Sequence, residues 1–192
     1  MQLLSSFELL VQPIIPSNLA KMLQLESVDP LVLQSYFLIL SNVSSESVTA
    51  ILEFTADTGG NSTFKGSQDG NFKPVSAFLD LTAAMPLSEP NFEITTPSTA
   101  KAILALGAKS TATFLLQPDV IPVAKAIKDP QSRDLSFELR GAVEISVSRP
   151  QSLLVSPQTR GTFFKTASDT NMPLEVFAEQ AYGLPTANSN FI

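Results

Sequence analysis

Histidine, cysteine and tryptophan are absent from all 192 residues, and each absence removes a class of chemistry. Without histidine there is no Ser-His-Asp triad, without cysteine no thiol nucleophile or disulfide framework, and without either no zinc site of the usual ligands. Charge is scarce as well: Asp, Glu, Lys and Arg make up 16% of the chain, against roughly 25% in an average soluble domain. The twelve basic residues are scattered among eighteen acidic ones, giving a net charge of −6, so no basic patch offers itself to nucleic acid or to an anionic membrane surface. The longest unbroken apolar runs, Tyr36 to Leu40 and Ala102 to Leu106, are five residues each, far short of the ~20 a membrane-spanning helix needs. Met1 to Leu10 lacks a basic region and is interrupted by Ser5, Ser6 and Glu8, so it does not read as a signal peptide. The compartment stays open.

What is present is a chain rich enough in apolar residues, 44%, to build a core without staples or metals. Its clearest pattern lies between Leu135 and Ser148. There Leu135, Phe137, Leu139, Val143, Ile145 and Val147 alternate with Ser136, Glu138, Arg140, Glu144, Ser146 and Ser148, a period of two rather than 3.6. One apolar and one wet face belong to an antiparallel sheet packed on one side. Fully extended, such a strand would span ~46 Å, and the spacing predicts a bulge or bend at Gly141, with one strand serving two sheets.

The alternation recurs at Val48–Phe54, Val75–Leu81 and Ala112–Leu116, with shorter candidates at Phe7–Gln12, Val32–Ser41, Asn91–Thr95, Leu153–Val155 and Thr162–Thr166. Turn formers punctuate them. The expectation is an all-β, antiparallel β-sandwich, immunoglobulin-like or jelly-roll, of about nine strands. Two short helices are expected beside it: Asn18–Leu25 behind a Ser17 cap, and Pro173–Ala181, where a first-turn proline precedes Leu174, Phe177 and Ala181. No linker or repeat divides the chain, so residues 1–182 read as a single domain and 183–192, rich in Asn, Ala and Ser, as a loosely ordered C-terminal tail.

The stretch Ile103-Leu104-Ala105-Leu106-Gly107-Ala108-Lys109-Ser110-Thr111-Ala112-Thr113-Phe114-Leu115-Leu116 resembles the turn-plus-strand of bacterial immunoglobulin-like and related β-sandwich modules. The resemblance implies a fold and no function, since such modules serve many roles.

Three constellations touch on chemistry. Asp57-Thr58-Gly59 is similar to the active-site motif of aspartic proteases, which needs two carboxylates sharing a proton and therefore a dimer of this chain. A polar turn ending a strand explains the same residues. The loop from Asp57 to Asn71 places Asp57, Asn61, Asp69 and Asn71 around four glycines, hard oxygen ligands of the kind calcium takes, though without EF-hand spacing or a closing bidentate Glu. Glu138, Glu144 and Glu53 are of the type that pairs in glycoside hydrolysis, and equally the type that covers a solvated sheet face. Asn42-Val43-Ser44 and Asn61-Ser62-Thr63 match the glycosylation pattern.

The reading that follows is a non-enzymatic structural or protein-interaction module without cofactor. It is expected to act by homo-oligomerisation or with a protein partner, through strand edges such as those of Leu135–Ser148 or Thr111–Gln117. The alternative is a carbohydrate- or small-ligand-binding module using the Asp57–Asn71 loop. Thirteen phenylalanines with two tyrosines weaken that alternative, because exposed Trp and Tyr usually meet sugars whereas Phe belongs to cores.

Overall fold

A computed structural model describes residues 1–15, 19, 22–23, 31–57, 72, 75–80, 84–86, 91–119, 137–166, 174–187 and 192. Eleven strands follow one another as β1 (Gln2–Pro13), β2 (Leu31–Asn42), β3 (Val48–Ala56), β4 (Val75–Asp80), β5 (Ala84–Pro86), β6 (Phe92–Thr96), β7 (Thr99–Leu106), β8 (Thr111–Pro118), β9 (Phe137–Val147), β10 (Leu153–Thr166) and β11 (Leu174–Gly183). Every pairing between them is antiparallel. The all-β antiparallel class expected from the alternation is the class observed.

The eleven strands form one sheet, and the strand at which it divides is β2, not the long Leu135–Ser148 segment. Along one edge β10 follows β2 from Leu31 to Asn42. On the other edge β1 pairs only with Leu31–Gln34 and β8 only with Tyr36–Ser41. The sheet therefore forks at β2: one branch continues β1-β9-β3-β7-β6, the other β8-β4-β5. The branches face each other across the core, because rings on strands that share no hydrogen bonds meet there. Phe54 of β3 stacks on Phe114 of β8 at 5.7 Å and stands edge-on to Tyr36 of β2 at 6.1 Å. Phe7 of β1 and Phe72 complete the cluster. Offset and edge-to-face rings of this kind add to what burial alone gives.

Alternation writes this core directly. In β3, Val48, Ala50, Leu52, Phe54 and Ala56 are buried, and in β9 Phe137, Leu139, Val143 and Ile145 are buried while Arg140 and Glu144 are exposed. The alternation runs through Gly141 without interruption. The bulge sits instead in the neighbouring strand, where Leu3 opposes Glu144 and Ser5 opposes Val143, leaving Leu4 of β1 as the extra residue. Gly141 answers a different need: a Cβ there would lie 2.0 Å from the Thr55 carbonyl oxygen and 2.8 Å from the Phe7 ring. Glycine lets the β3 backbone and the Phe7 ring come close at this point.

Three elements differ from expectation. Residues 174–183 form strand β11 along β10, with Gly183 opposite Gln158 and Leu174 opposite Thr166, so the Pro173–Ala181 helix is not formed; pairing with a long neighbour overrides a short helical pattern. The Leu153–Val155 and Thr162–Thr166 candidates are one strand, β10. Pro157 does not break it, because the Leu184 N–H donates to the Pro157 carbonyl at 2.9 Å. That edge of Pro157 therefore faces the tail, and the ladder to β2 is carried by its neighbours. Strand β7, beside β3 and β6, has no counterpart among the sequence candidates. In the other expected helix, Leu19 and Met22 are helical and the Leu23 N–H donates to the Leu19 carbonyl at 3.0 Å. Of the expected loose tail, the described residues hydrogen-bond to the sheet: Ala187 N–H to the Leu4 carbonyl, and Ile192, buried, in both directions with Leu153.

Candidate functional site

Asp57 follows directly on β3, exposed, with its amide donating to the Arg140 carbonyl at 2.7 Å. Asn61, Asp69 and Asn71, the other calcium candidates, and the rest of the Asp-Thr-Gly motif lie outside the described residues, as does the second sequon at Asn61. Among the described residues no group of three or more Asp or Glu is placed to hold a metal.

The three glutamates resolve into two unlike settings. Glu53 and Glu144 are direct cross-strand partners, Lys101 flanks Glu53 on its other side, and Glu93 opposes Lys101. Two like charges side by side are unfavourable, and the adjacent lysine offsets them. Glu138 instead joins a cluster on the outer face of β1 and β9: the Arg140 Nε contacts Glu138 Oε1 at 2.6 Å and donates to Glu8 Oε1, while Gln34 Nε2 donates to Glu8 Oε2 at 2.6 Å. Glu8 and Glu138 hold the Arg140 guanidinium above its already high ordinary pKa, first through the hydrogen bond that Arg140 donates to Glu8, so it is a permanent cation.

This cluster forms one wall of a groove of 470 Å³ in the crotch of the fork, where β1 leaves β2. Gln34 and Tyr36 share a face of β2, Thr159 of β10 stands opposite Tyr36, and Tyr182 of β11 opposite Thr159. Thr159 and Tyr182 thus form the second wall. The two tyrosines divide the work. Tyr36 is fully buried against Phe7 and Phe54, hydrogen-bonded to Ser5 Oγ at 3.0 Å, and burial pushes its phenol well above the ordinary value. Tyr182 is 57% exposed. Sequence reasoning missed this groove because its walls come from β1, β2, β9, β10 and β11, and no local motif joins them.

The strand edges differ from expectation. β9 lies between β1 and β3, and β8 between β2 and β4, so neither Phe137–Val147 nor Thr111–Pro118 stands at the end of the sheet. Among the described residues the strands with one unpaired edge are β5, β6 and β11. β11 is the longest of them. It carries an extra residue, Phe177, between Val176 opposite Phe164 and Ala178 opposite Phe163; beyond it Ala178–Gly183 pairs regularly and is exposed.

Asn42, in the first sequon, is a structural clip. Its Nδ2 donates to the carbonyls of Glu46, Leu106 and Gly107, and its Oδ1 accepts from the Ser44 amide and hydroxyl. Buried at 2% exposure, this amide is closed to a glycosyl transferase once the chain is folded.

The described geometry defines an antiparallel all-β protein whose walls fork at one long strand. No family model and no curated protein matches the chain. Among solved structures it is similar to the RrgA Jo.In complex, at 12% identity and a TM-score of 0.25 over 92% of this chain and 77% of that one. It is also similar to a GH2 beta-galacturonidase from Eisenbergiella tayi bound to glycerol, at 8% identity and a TM-score of 0.25 over 96% of this chain and 37% of that one. Likeness of this degree carries no argument about function. Among the described residues no helix is long and apolar enough to cross a membrane.

Proposed function

We propose that this chain is a non-enzymatic structural or protein-interaction module that works by strand addition, either to a second copy of itself or to a protein partner. The observation that supports it most is β11, a ten-residue strand paired along one edge only among the described residues. A row of unpaired N–H and C=O groups templates a further strand. The low charge of the chain, 16%, leaves little to repel a neighbour. An immunoglobulin-like identity enters this reading only through the resemblance at residues 103–116.

The geometry of the edge selects the variant that tests it. Because the Leu184 N–H points to Pro157, the N–H groups of Tyr182 and Gln180 point the same way, and those of Ala181 and Glu179 point to the free edge. Ala181→Pro removes a donor from the free edge and leaves the β10 ladder intact. In sedimentation velocity over a concentration series, the wild type is expected to form species heavier than the 20.6 kDa monomer, or to retain a partner from native lysate when immobilised. Ala181→Pro is expected to lose both. A wild type that stays monomeric and retains nothing beyond what Ala181→Pro retains overturns the proposal.

A further inference from the structure

The groove at the fork has a composition that selects among ligands, and it adjoins β11 through Tyr182, whose N–H points toward β10 rather than to the free edge. We infer that it binds a neutral polyhydroxylated ligand, an oligosaccharide, by stacking a sugar ring on Tyr182 and hydrogen-bonding its hydroxyls to Glu8, Gln34 and Arg140. Hydroxyls both donate and accept, so a sugar site needs acceptors and donors side by side. Glu8 and Arg140 supply them, directly opposite each other on β1 and β9.

Glu8 already accepts from Arg140 and Gln34, and the groups around it keep uncommitted donors and acceptors. The contacts of Arg140 with Glu8 and Glu138 run through Nε, and among the described residues its two terminal amines have no partner. Gln34 uses Nε2 toward Glu8, and its Oε1 has none among the described residues. Ser6 and Thr159 line the same groove, and their hydroxyls are likewise without partners among the described residues. Held by one another and by the sheet, these side chains lose little freedom when a ligand arrives.

Charge works against an anion: two carboxylates, Glu8 and Glu138, contact the one guanidinium and leave the cluster net negative. An apolar ligand would strand these polar groups without water. The volume of 470 Å³ lies in the range of small-ligand clefts and admits a few linked rings. An exposed tyrosine with an amphipathic ring is the side chain suited to a hydrated sugar face.

The test is a titration of the full chain with cellotetraose, xylotetraose, mannotetraose and maltotetraose, with tetragalacturonate as anionic control, followed by 1H–15N correlation spectra. At least one neutral tetrasaccharide is expected to shift the amides of Ser6, Gln34, Thr159 and Tyr182, with dissociation constants of roughly 0.1–1 mM, about 4 to 5.5 kcal/mol. Tyr182→Ala is expected to weaken that binding at least ~10-fold and Tyr182→Phe to keep most of it; unchanged melting of both variants separates lost binding from lost folding. No shift with any neutral probe at about 10 mM, shifts with tetragalacturonate alone, or binding unaltered by Tyr182→Ala each overturn the inference.

Discussion

Strands β9 and β11 are nearly equal in length, eleven residues and ten, and opposite in circumstance. β9 lies in the middle of a branch with β1 on one edge and β3 on the other, and Phe137, Leu139, Val143 and Ile145 on its inward face are buried to within 1%. β11 has a partner on one edge, and its described side chains are exposed. The contrast separates two tasks. The interior strands hold the fold, while the β10–β11 ribbon presents an edge and one wall of a groove at little cost in stability, as recognition surfaces built on a rigid scaffold do.

Substitutions at matched positions should break that contrast in a fixed order. The largest effect is expected at Gly141 in β9. An alanine there drives a Cβ into the Thr55 carbonyl, so Gly141→Ala should cost about 3 kcal/mol or more, read as a lower urea midpoint at unchanged m-value. Next comes the clip at the β2 end: Asn42→Ala strips partners from the Glu46, Leu106 and Gly107 carbonyls and from the Ser44 amide. It should cost about 2 kcal/mol in the same assay.

Tyr36→Phe removes one buried hydrogen bond, to Ser5, and should cost about 1 kcal/mol near neutral pH. It carries a sharper signature in alkali. Burial raises the Tyr36 phenol in the folded state above its ordinary value of 10.0, so the folded chain holds that proton more tightly than the unfolded one. The contribution is complete below pH 10 and is lost as pH rises beyond it toward the folded value. Wild-type stability should therefore fall relative to Tyr36→Phe above pH 10, with a limiting slope of about 1.4 kcal/mol per pH unit. The smallest effect on stability belongs to the ribbon: Ala181→Pro in β11 should shift the midpoint by less than about 1 kcal/mol, although it is the substitution expected to abolish association.

The same contrast explains what was legible in the sequence. Leu135–Ser148 announces a strand because one side of β9 meets the core and the other meets water, and the observed Phe137–Val147 keeps that alternation. β7 leaves no such mark: Ala102 to Leu106 is apolar throughout, with Ile103 and Ala105 on the outer face, so period two disappears. β11 buries no described side chain, and with no face to encode, the spacing of Leu174, Phe177 and Ala181 after Pro173 mimics a helix. Pro157 splits β10 on paper because a sequence does not say which edge a missing N–H faces. At Gly141 the residue is informative and its consequence is displaced: it allows close approach in β9, while the extra residue is Leu4 across the ladder. Of the candidate sites, Asp57 and the glutamates were visible as residue types. The convergence of Ser6, Glu8, Gln34, Arg140, Thr159 and Tyr182 from five strands is a product of the fork and has no signature along the chain.

Hydrogen exchange resolved by peptide, followed from dilute to concentrated protein, addresses the role of the free edge most directly. Amides within 174–183 are expected to gain protection as concentration rises, or on addition of a captured partner, while those of β9 stay unchanged. Exchange in 174–183 that is the same at every concentration and with every partner, or protection that rises in another segment instead, would contradict strand addition at β11.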